Sequence, residues 1–199
     1  MICEDLLLSF GAEYKSYDDG ERIFSENDIP NFHYFIIEGK VKLNNYIENG
    51  KEFIHAILSE NCSIAESYLF CDKKYSINAY TISKVKLLRT PKVCLIALLN
   101  ENPSYYNEIL RCSAKFIHSQ LIMMQTIAIQ SPEVKIKIFL DLFKENQVSQ
   151  YEESFLLQLP LTRQQLASFT GLSVETVIRA IKNMEKNCVV KIQNRKIWY

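Results

Sequence analysis

Residues 161–199 decide the fold, and their sequence is LTRQQLASFTGLSVETVIRAIKNMEKNCVVKIQNRKIWY. Thr162 is followed three places later by Gln165, which is the pattern of a helix capping box. Gly171 stands where a helix would end in a left-handed residue, and Ser173 can cap a new helix. The stretch therefore predicts two short helices joined by a tight turn.

The second predicted helix has two faces. Apolar residues at helical spacing predict the buried face: Val177, Ala180, Ile181, Met184 and Cys188. A separate stripe at spacings of three and four holds Glu175, Ile178, Arg179 and Lys182. An aliphatic side chain between charged ones is unusual for a face that is merely solvated. After this helix, two β-favouring runs, 189–192 and 196–199, surround residues 193–195 and predict a hairpin with a basic tip.

The stripe has the chemistry of a helix that lies in the DNA major groove. There Arg179 can donate to guanine, Glu175 can accept from cytosine, and Ile178 can contact a thymine methyl group. The alternative is that Glu175 complements the helix dipole and that Arg179 is ordinary surface. Each residue alone favours that alternative, whereas the complete set, with its capping box, glycine turn and hairpin, predicts DNA binding.

Residues 161–167 and 171–179 resemble the DNA-binding signature of the Crp/Fnr family of bacterial transcription regulators. The resemblance implies that Glu175 and Arg179 contact a G·C-containing core of each half-site. It implies phosphate contacts for Thr162, Arg163 and Ser173. The full set of DNA-binding candidates is Thr162, Arg163, Gln164, Ser173, Val174, Glu175, Ile178, Arg179 and Lys182.

Two positions in this signature each differ from one branch of the family. Val174 stands where the catabolite activator has a base-contacting Arg, and it matches the Fnr branch better. Ile178 stands where that branch has Ser. The outer bases of the operator are therefore left open.

Positive charge is concentrated at the C-terminal end. The chain has 23 Lys and Arg, 23 Asp and Glu, and a formal net charge of zero. Residues 161–199 carry seven Lys and Arg against two Asp and Glu, as contacts with phosphates require. No run suits a membrane span and the N-terminus has no signal-peptide pattern. We therefore expect a cytoplasmic protein without a membrane partner.

Residues 14–90 predict a compact β-structure, because short β-rich runs alternate with turn signals. Asn49-Gly50 lies between two such runs and predicts a hairpin with a type I′ turn. Arg22-Ile23-Phe24, residues 34–39 and residues 41–43 resemble the β-roll of the cyclic-nucleotide-binding domain.

The phosphate cassette of that domain is altered. The resemblance expects a Gly-Glu pair and a later Arg-Ser/Thr-Ala, but Ala65 precedes Glu66 and Tyr75 precedes Ser76. A buried cyclic phosphate would lack the adjacent guanidinium, and Lys73 or Lys74 could replace it only as a point charge on a flexible stem. We therefore expect an effector other than cAMP, or none. The candidate effector residues are Glu66, Ser67, Tyr75 and Ser76. Tyr68, Phe70 and Tyr75 could line an apolar pocket, or they could belong to the core of the roll.

The remaining chemistry-bearing residues are dispersed. The six cysteines, at positions 3, 62, 71, 94, 112 and 188, form no C-x-x-C pair, and we expect small buried hydrophobes. A redox role for Cys62 and Cys71 is left open. Cys3 alone cannot supply the N-terminal cluster of the family's iron–sulfur members, so no iron–sulfur cluster is expected. We expect no metal site and no enzymatic activity.

A long helix is predicted from Ser104 to Gln130, which contains neither Gly nor Pro. Apolar residues at alternating spacings of four and three predict a coiled-coil dimer seam: Leu110, Ala114, Ile117, Leu121, Met124 and Ala128. A second stripe, Ile109, Phe116, Met123 and Ile127, is predicted to pack within the chain. Ser131-Pro132 is predicted to separate this helix from the DNA-binding part.

Together these features predict an α+β protein with three parts: a double-stranded β-roll in residues 1–98, a dimerisation helix in 99–130 and a winged helix-turn-helix in 131–199. The predicted function is a homodimeric transcription regulator that binds a palindromic operator, with RNA polymerase as partner if it is an activator. The alternative is a small-molecule-binding or protein-interaction module whose winged helix docks on a protein. The effector, the target genes and the choice between activation and repression are left open.

Overall fold

The computed structural model describes residues 4–48, 50–147 and 157–199. The chain divides into two compact units, Met1–Ile117 and His118–Tyr199. The α+β architecture predicted from the sequence, with an N-terminal β-domain, a long helix and a C-terminal helical domain, is confirmed. The narrower limits at 98/99 and 130/131 stay predictions.

The N-terminal unit is built mainly from two antiparallel sheets. Its elements are α1 (Glu4–Ser9), β1 (Glu13–Tyr17), β2 (Arg22–Phe24), β3 (Phe32–Glu38), β4 (Val41–Tyr46), β5 (Glu52–Leu58), a 3₁₀ turn (Glu66–Leu69), β6 (Asn78–Thr81), β7 (Val85–Pro91) and α2 (Lys92–Glu101). The strands pair in the orders β1-β7-β3 and β2-β6-β4-β5. Non-consecutive strands are therefore neighbours in both sheets, as in a β-roll.

The alternation of side chains along β3 explains how its sheet is buried on both faces. Tyr34 and Ile36 point into a core between the two sheets, where Leu43 and Ala79 of the other sheet also lie. Phe35, one residue out of phase, packs into a second core with residues of α1 and α2. Successive strand residues point to opposite faces, so β3 contributes to both cores.

The predicted hairpin around position 50 is present. Strands β4 and β5 pair from Val41 opposite Leu58 to Tyr46 opposite Glu52. The proposed type I′ turn falls on Asn49, which lies outside the described residues.

The long helix is shorter than predicted. Helix α3 runs Ser104–Gln125 and is followed by a 3₁₀ turn, Thr126–Ala128, and an extended Ile129. The buried Thr126 hydroxyl donates to the carbonyl oxygen of Met123 at 2.6 Å. Such a bond offers the backbone an alternative to the continuing helix, so Ala128 lies beyond the α-helical part of the predicted seam.

The C-terminal unit packs three helices behind a small β-hairpin. Its elements after α3 are α4 (Pro132–Gln147), α5 (Arg163–Thr170), α6 (Val174–Lys186), β8 (Lys191–Gln193) and β9 (Lys196–Trp198). The rings of Phe139 on α4 and Phe169 on α5 lie 4.8 Å apart, centroid to centroid. Tyr199 also donates a hydrogen bond to Asp141 of α4. These contacts fix α5 and the end of the hairpin against α4.

The cysteine prediction was wrong. Cys71, Cys112 and Cys188 are exposed, and Cys62 and Cys94 are only partly buried; Cys3 lies outside the described residues. Isolated cysteines in the sequence give no periodic signal of burial, so the average behaviour of the residue type was a poor guide.

None of the helices in the described ranges combines the length and apolarity of a bilayer span.

Candidate nucleic-acid interface

Helix α5 begins with the predicted capping box. The backbone N–H of Gln165 donates to the Thr162 hydroxyl at 3.1 Å, and the backbone N–H of Thr162 donates to Oε1 of Gln165 at 2.9 Å. Both bonds satisfy donors that the first helical turn leaves free. The capping box predicted from the sequence is confirmed.

The turn between α5 and α6 is also as predicted. Gly171 ends α5 with a φ of +70°, a left-handed conformation that suits glycine. Ser173 caps α6 by accepting a hydrogen bond from the backbone N–H of Thr176 at 3.1 Å. These local features set where each helix begins and ends, and they join α5 to α6 as a helix-turn-helix.

Helix α6, which we call the recognition helix, separates its two faces sharply. Val177, Ala180, Ile181 and Met184 are at most 3% exposed and pack inward. The stripe of Glu175, Ile178, Arg179 and Lys182 is exposed. Cys188 does not belong to the buried face as predicted, because α6 ends at Lys186 and Cys188 is exposed with a φ of +57°.

Glu175 is held in its charged form at the start of the recognition helix. Its carboxylate accepts hydrogen bonds from its own backbone N–H and from the Ser173 hydroxyl, and both lower its pKa. The positive charge of Arg179 lowers the pKa further. An ionised carboxylate accepts hydrogen bonds only, which matches the exocyclic amine that cytosine presents in the major groove.

The hairpin has the geometry of a two-residue turn. Gln193 pairs with Lys196 across the turn, and Asn194 and Arg195 have φ values of +50° and +62°. Positive φ at both central residues defines a type I′ turn. Gln193, predicted to be part of the loop, therefore belongs to β8. Residues 189 and 190 precede that strand, although they were predicted to belong to it.

Two features tie the hairpin to the rest of the unit. The guanidinium of Arg163 donates to the carbonyl oxygen of Arg195 at the turn. On the other side of β9, Leu157 and Tyr199 exchange backbone hydrogen bonds of 2.7 and 3.0 Å. This pairing was not predictable from the sequence, because the run 157–159 is too short to have a recognisable strand pattern.

The remaining DNA-binding candidates lie at the start of α5 or at the start of α6. Thr162, Gln164 and Ser173 are exposed, whereas Arg163 and Val174 are half-buried. Arg163 is partly engaged by the hairpin turn, so its predicted phosphate contact would be combined with a structural role. The roles of all nine candidates toward DNA stay predictions.

The four candidate effector residues do not form one pocket. Tyr75 lies in the core of the roll, 3% exposed, and its ring stacks on Phe24 at a centroid distance of 3.8 Å. Ser76 is exposed, and its hydroxyl lies 2.6 Å from the Tyr68 hydroxyl. Ser67 is exposed. Of the two interpretations of the aromatic residues, core packing describes Tyr75, while Phe70 is 41% exposed.

Glu66 has a different environment. It is buried at the start of the 3₁₀ turn, and burial raises the pKa of its carboxyl group, while hydrogen bonds from its own N–H and from the Ser113 hydroxyl act in the opposite direction. Ser113 belongs to α3. The carboxylate therefore connects the cassette to the long helix rather than facing Tyr75 or Ser76.

A surface cavity of about 480 Å³ opens near the cassette. Tyr75, Phe24 and Tyr34 form part of its lining, together with polar residues such as Asn27 and Asp28. Glu66, Ser67 and Ser76 do not line it. Of the four predicted effector residues, only Tyr75 therefore lines this cavity.

Helix α3 exposes the predicted dimer seam. None of its residues, Ser104–Gln125, is buried in the single chain. The six seam positions are all exposed: Leu110, Ala114, Ile117, Leu121, Met124 and Ala128. The second stripe was predicted to pack within the chain, which is wrong for Phe116 and Ile127, since both are exposed. The beginning of α3 packs against the second core, through Tyr105 and Ile109.

Within the described ranges, no group of three or more His, Cys, Asp or Glu side chains is arranged to hold a metal ion.

This geometry defines a class of protein, with a β-roll domain, a long helix with an exposed apolar seam, and a winged helix-turn-helix. Two comparisons of sequence identify it further. Residues 14–102 match the cyclic nucleotide-binding domain, and residues 136–198 match the Crp-like helix-turn-helix domain. The chain belongs to the Crp/Fnr family of transcription regulators.

Relatives with similar sequences are also named as regulators. The nitrogen fixation regulation protein FixK of Bradyrhizobium diazoefficiens is 23% identical over 176 residues, which cover 88% of this chain and 73% of that protein. The CRP-like cAMP-activated global transcriptional regulator of Mycobacterium tuberculosis is 21% identical over 180 residues, covering 89% and 80%. The chain is therefore a DNA-binding transcription regulator.

A solved structure has the same fold. FixK2 from Bradyrhizobium japonicum superposes with a TM-score of 0.75 at 17% sequence identity, over 94% of this chain and 91% of that one. At this level of identity the likeness concerns the fold alone.

Proposed function

We propose that this protein binds a palindromic operator as a homodimer and that it does so through the exposed stripe of the recognition helix. The observation that carries the proposal is the separation of faces on α6. Four apolar residues hold the helix against the unit, while Glu175, Ile178 and Arg179 remain exposed in a row. Glu175 and Arg179 supply an acceptor for cytosine and a donor for guanine.

The proposed dimer rests on α3. Leu110 and Met124 are more than 60% exposed in the single chain, and they belong to a seam with coiled-coil spacing. An isologous dimer would bury this seam and present two recognition helices to two half-sites. Dimers of helix-turn-helix proteins contact half-sites about one helical turn apart, roughly 34–36 Å.

We further propose that cAMP is not the effector. Tyr75 stands where the resemblance expects the phosphate-binding Arg, and its ring occupies the roll core against Phe24. Glu66 is directed toward Ser113. The residues present therefore do not fit a cyclic phosphate. In this proposal the roll takes a different small molecule or acts without one.

The proposed setting is the cytoplasm, where operator DNA is available. If the protein activates transcription, its further partner would be RNA polymerase. The proposal includes no enzymatic activity and no iron–sulfur cluster.

Selection of binding sites from random duplex DNA tests the proposal. The purified chain of residues 1–199 is used at a stated salt concentration and without added ligand, since phosphate contacts make affinity dependent on salt. We expect a palindrome with half-site centres about one helical turn apart. Enrichment that requires added cAMP would overturn the effector proposal, and absence of a palindrome with and without cAMP would count against the operator proposal.

A further inference from the structure

Ile178 differs from the other aliphatic residues in the body of the recognition helix. It is 41% exposed, whereas Val177 and Ile181 are at most 1% exposed. A single exposed apolar residue is ordinary on a protein surface. The position of Ile178 is what distinguishes it, because it lies three residues after Glu175 and immediately before Arg179 on the exposed stripe.

The chemistry of isoleucine limits what this position can recognise. The side chain has no donor or acceptor, so it cannot distinguish the O4 of thymine from the N4 amine of cytosine by hydrogen bonding. It can bury apolar surface, and the C5-methyl group of thymine is the apolar group in the major groove. Cytosine acquires the same group when it is methylated at C5.

We infer that Ile178 makes the recognition helix select a 5-methylpyrimidine at one position of each half-site. The inference rests on the proposed function and deepens it by naming the base chemistry that this side chain recognises. Thymine satisfies the requirement, and so does 5-methylcytosine. Cytosine methylation in an operator would therefore strengthen binding at this position.

The expected effect can be stated as a ratio of dissociation constants. Burying one methyl-sized group contributes about 0.8 kcal/mol, which is about a fourfold change in affinity. A palindrome offers the contact twice, so loss of both methyl groups should weaken binding by about sixteenfold if the two half-sites are independent.

The test uses the chain of residues 1–199 and the DNA site that it selects. Each thymine is replaced in turn by deoxyuridine in both half-sites, which removes only the methyl group. At the position that responds, cytosine and 5-methylcytosine are then compared. We expect thymine to exceed deoxyuridine, and 5-methylcytosine to exceed cytosine, each by about sixteenfold per palindrome.

Two variants assign the effect to this side chain. Ile178→Ser removes the apolar surface at an exposed position, and it should bring both methyl ratios close to one. Ile178→Val keeps an apolar, β-branched side chain and should keep most of the preference. Thermal unfolding of each variant checks that the domain is folded.

The inference and the proposed function fail in different ways. Specific binding with no methyl dependence at any pyrimidine, or a methyl preference that survives unchanged in Ile178→Ser, would overturn the inference alone. Failure of the chain to select any specific site, with or without cAMP, would overturn both.

Discussion

The winged helix forms the local features that the family resemblance predicts, whereas the β-roll does not assemble the predicted effector residues. In the winged helix, the capping box at Thr162, the turn at Gly171 and the cap at Ser173 are all formed. In the roll, the cassette residues are dispersed, with Tyr75 in the core and Glu66 bonded to Ser113. The winged helix exposes most of its candidate DNA-binding side chains. The β-roll buries two of its four candidate effector residues and leaves the other two exposed.

The functional features of the two units depend on interactions of different range along the chain. The two ends of the recognition helix are set by hydrogen bonds between residues at most four apart, and these can be found in the sequence. A ligand pocket depends on side chains from several strands, so a single replacement such as Tyr75 changes what the space can hold.

Replacing Tyr75 by Ala should destabilise the roll strongly. Its ring stacks on Phe24 and lies 5.2 Å from the ring of Tyr68, centroid to centroid. Removing a buried aromatic side chain costs about 3–5 kcal/mol, and urea denaturation monitored by circular dichroism would measure the loss. Tyr46→Ala is the matched control, because Tyr46 is 56% exposed and should change stability by about 0.5 kcal/mol or less.

A loss at Tyr75 no larger than that of the control would mean that the ring does not support the core. In that case the roll could open to a ligand at this position.

His33 should make the stability of the roll depend on pH. It lies on β3, 1% exposed, with Nε2 2.9 Å from the Ser63 hydroxyl, and burial lowers its pKa from 6.5 to about 4. Between these values the unfolded chain binds a proton that the folded chain does not, so the free energy of unfolding falls as the pH falls. The expected loss from pH 7 to pH 5 is about 2 kcal/mol.

Denaturant titrations of the wild type and of His33→Gln at both pH values isolate this contribution. Glutamine does not titrate in this range, so the variant should lose about 2 kcal/mol less than the wild type on acidification. Equal losses in the two proteins would show that folding does not lower the pKa of His33.

Thr162→Ala should have a smaller effect, confined to the winged helix. Loss of an N-cap hydroxyl costs about 1 kcal/mol, because the N–H of Gln165 loses its partner at 3.1 Å. Thr162→Ser keeps the hydroxyl and should retain most of the stability. Hydrogen exchange of the amides of α5 would measure the change, and equal protection in both variants would contradict the role of the cap.

The sequence predicted a structural feature correctly where that feature depends on residues close together in the chain. The helix caps, the glycine turn and the buried face of α6 follow from spacings of three or four residues. The pairing of Leu157 with Tyr199 could not be predicted in this way, since the two residues are 42 positions apart. The end of α3 was missed because neither Gly nor Pro marks it, and the Thr126 hydroxyl acts through a single bond to Met123.

The candidate functional site likewise contains features that the sequence predicts and features that it does not. The exposed stripe was predictable because a helix repeats every 3.6 residues. The bond from Arg163 to the Arg195 carbonyl was not, because it joins the start of α5 to a hairpin turn 32 residues later. The burial of Tyr75 against Phe24 also depends on which strands become neighbours.

Measuring how Arg179 discriminates bases tests directly whether the exposed stripe of α6 recognises the operator. The wild type and Arg179→Ala are titrated against four duplexes that differ at the G·C pair assigned to this residue, at one salt concentration. We expect the wild type to prefer that pair by about 1–3 kcal/mol and the variant to bind all four duplexes about equally. The same preference in both proteins would mean that Arg179 does not distinguish this base pair, which would contradict the role proposed for the exposed stripe of α6.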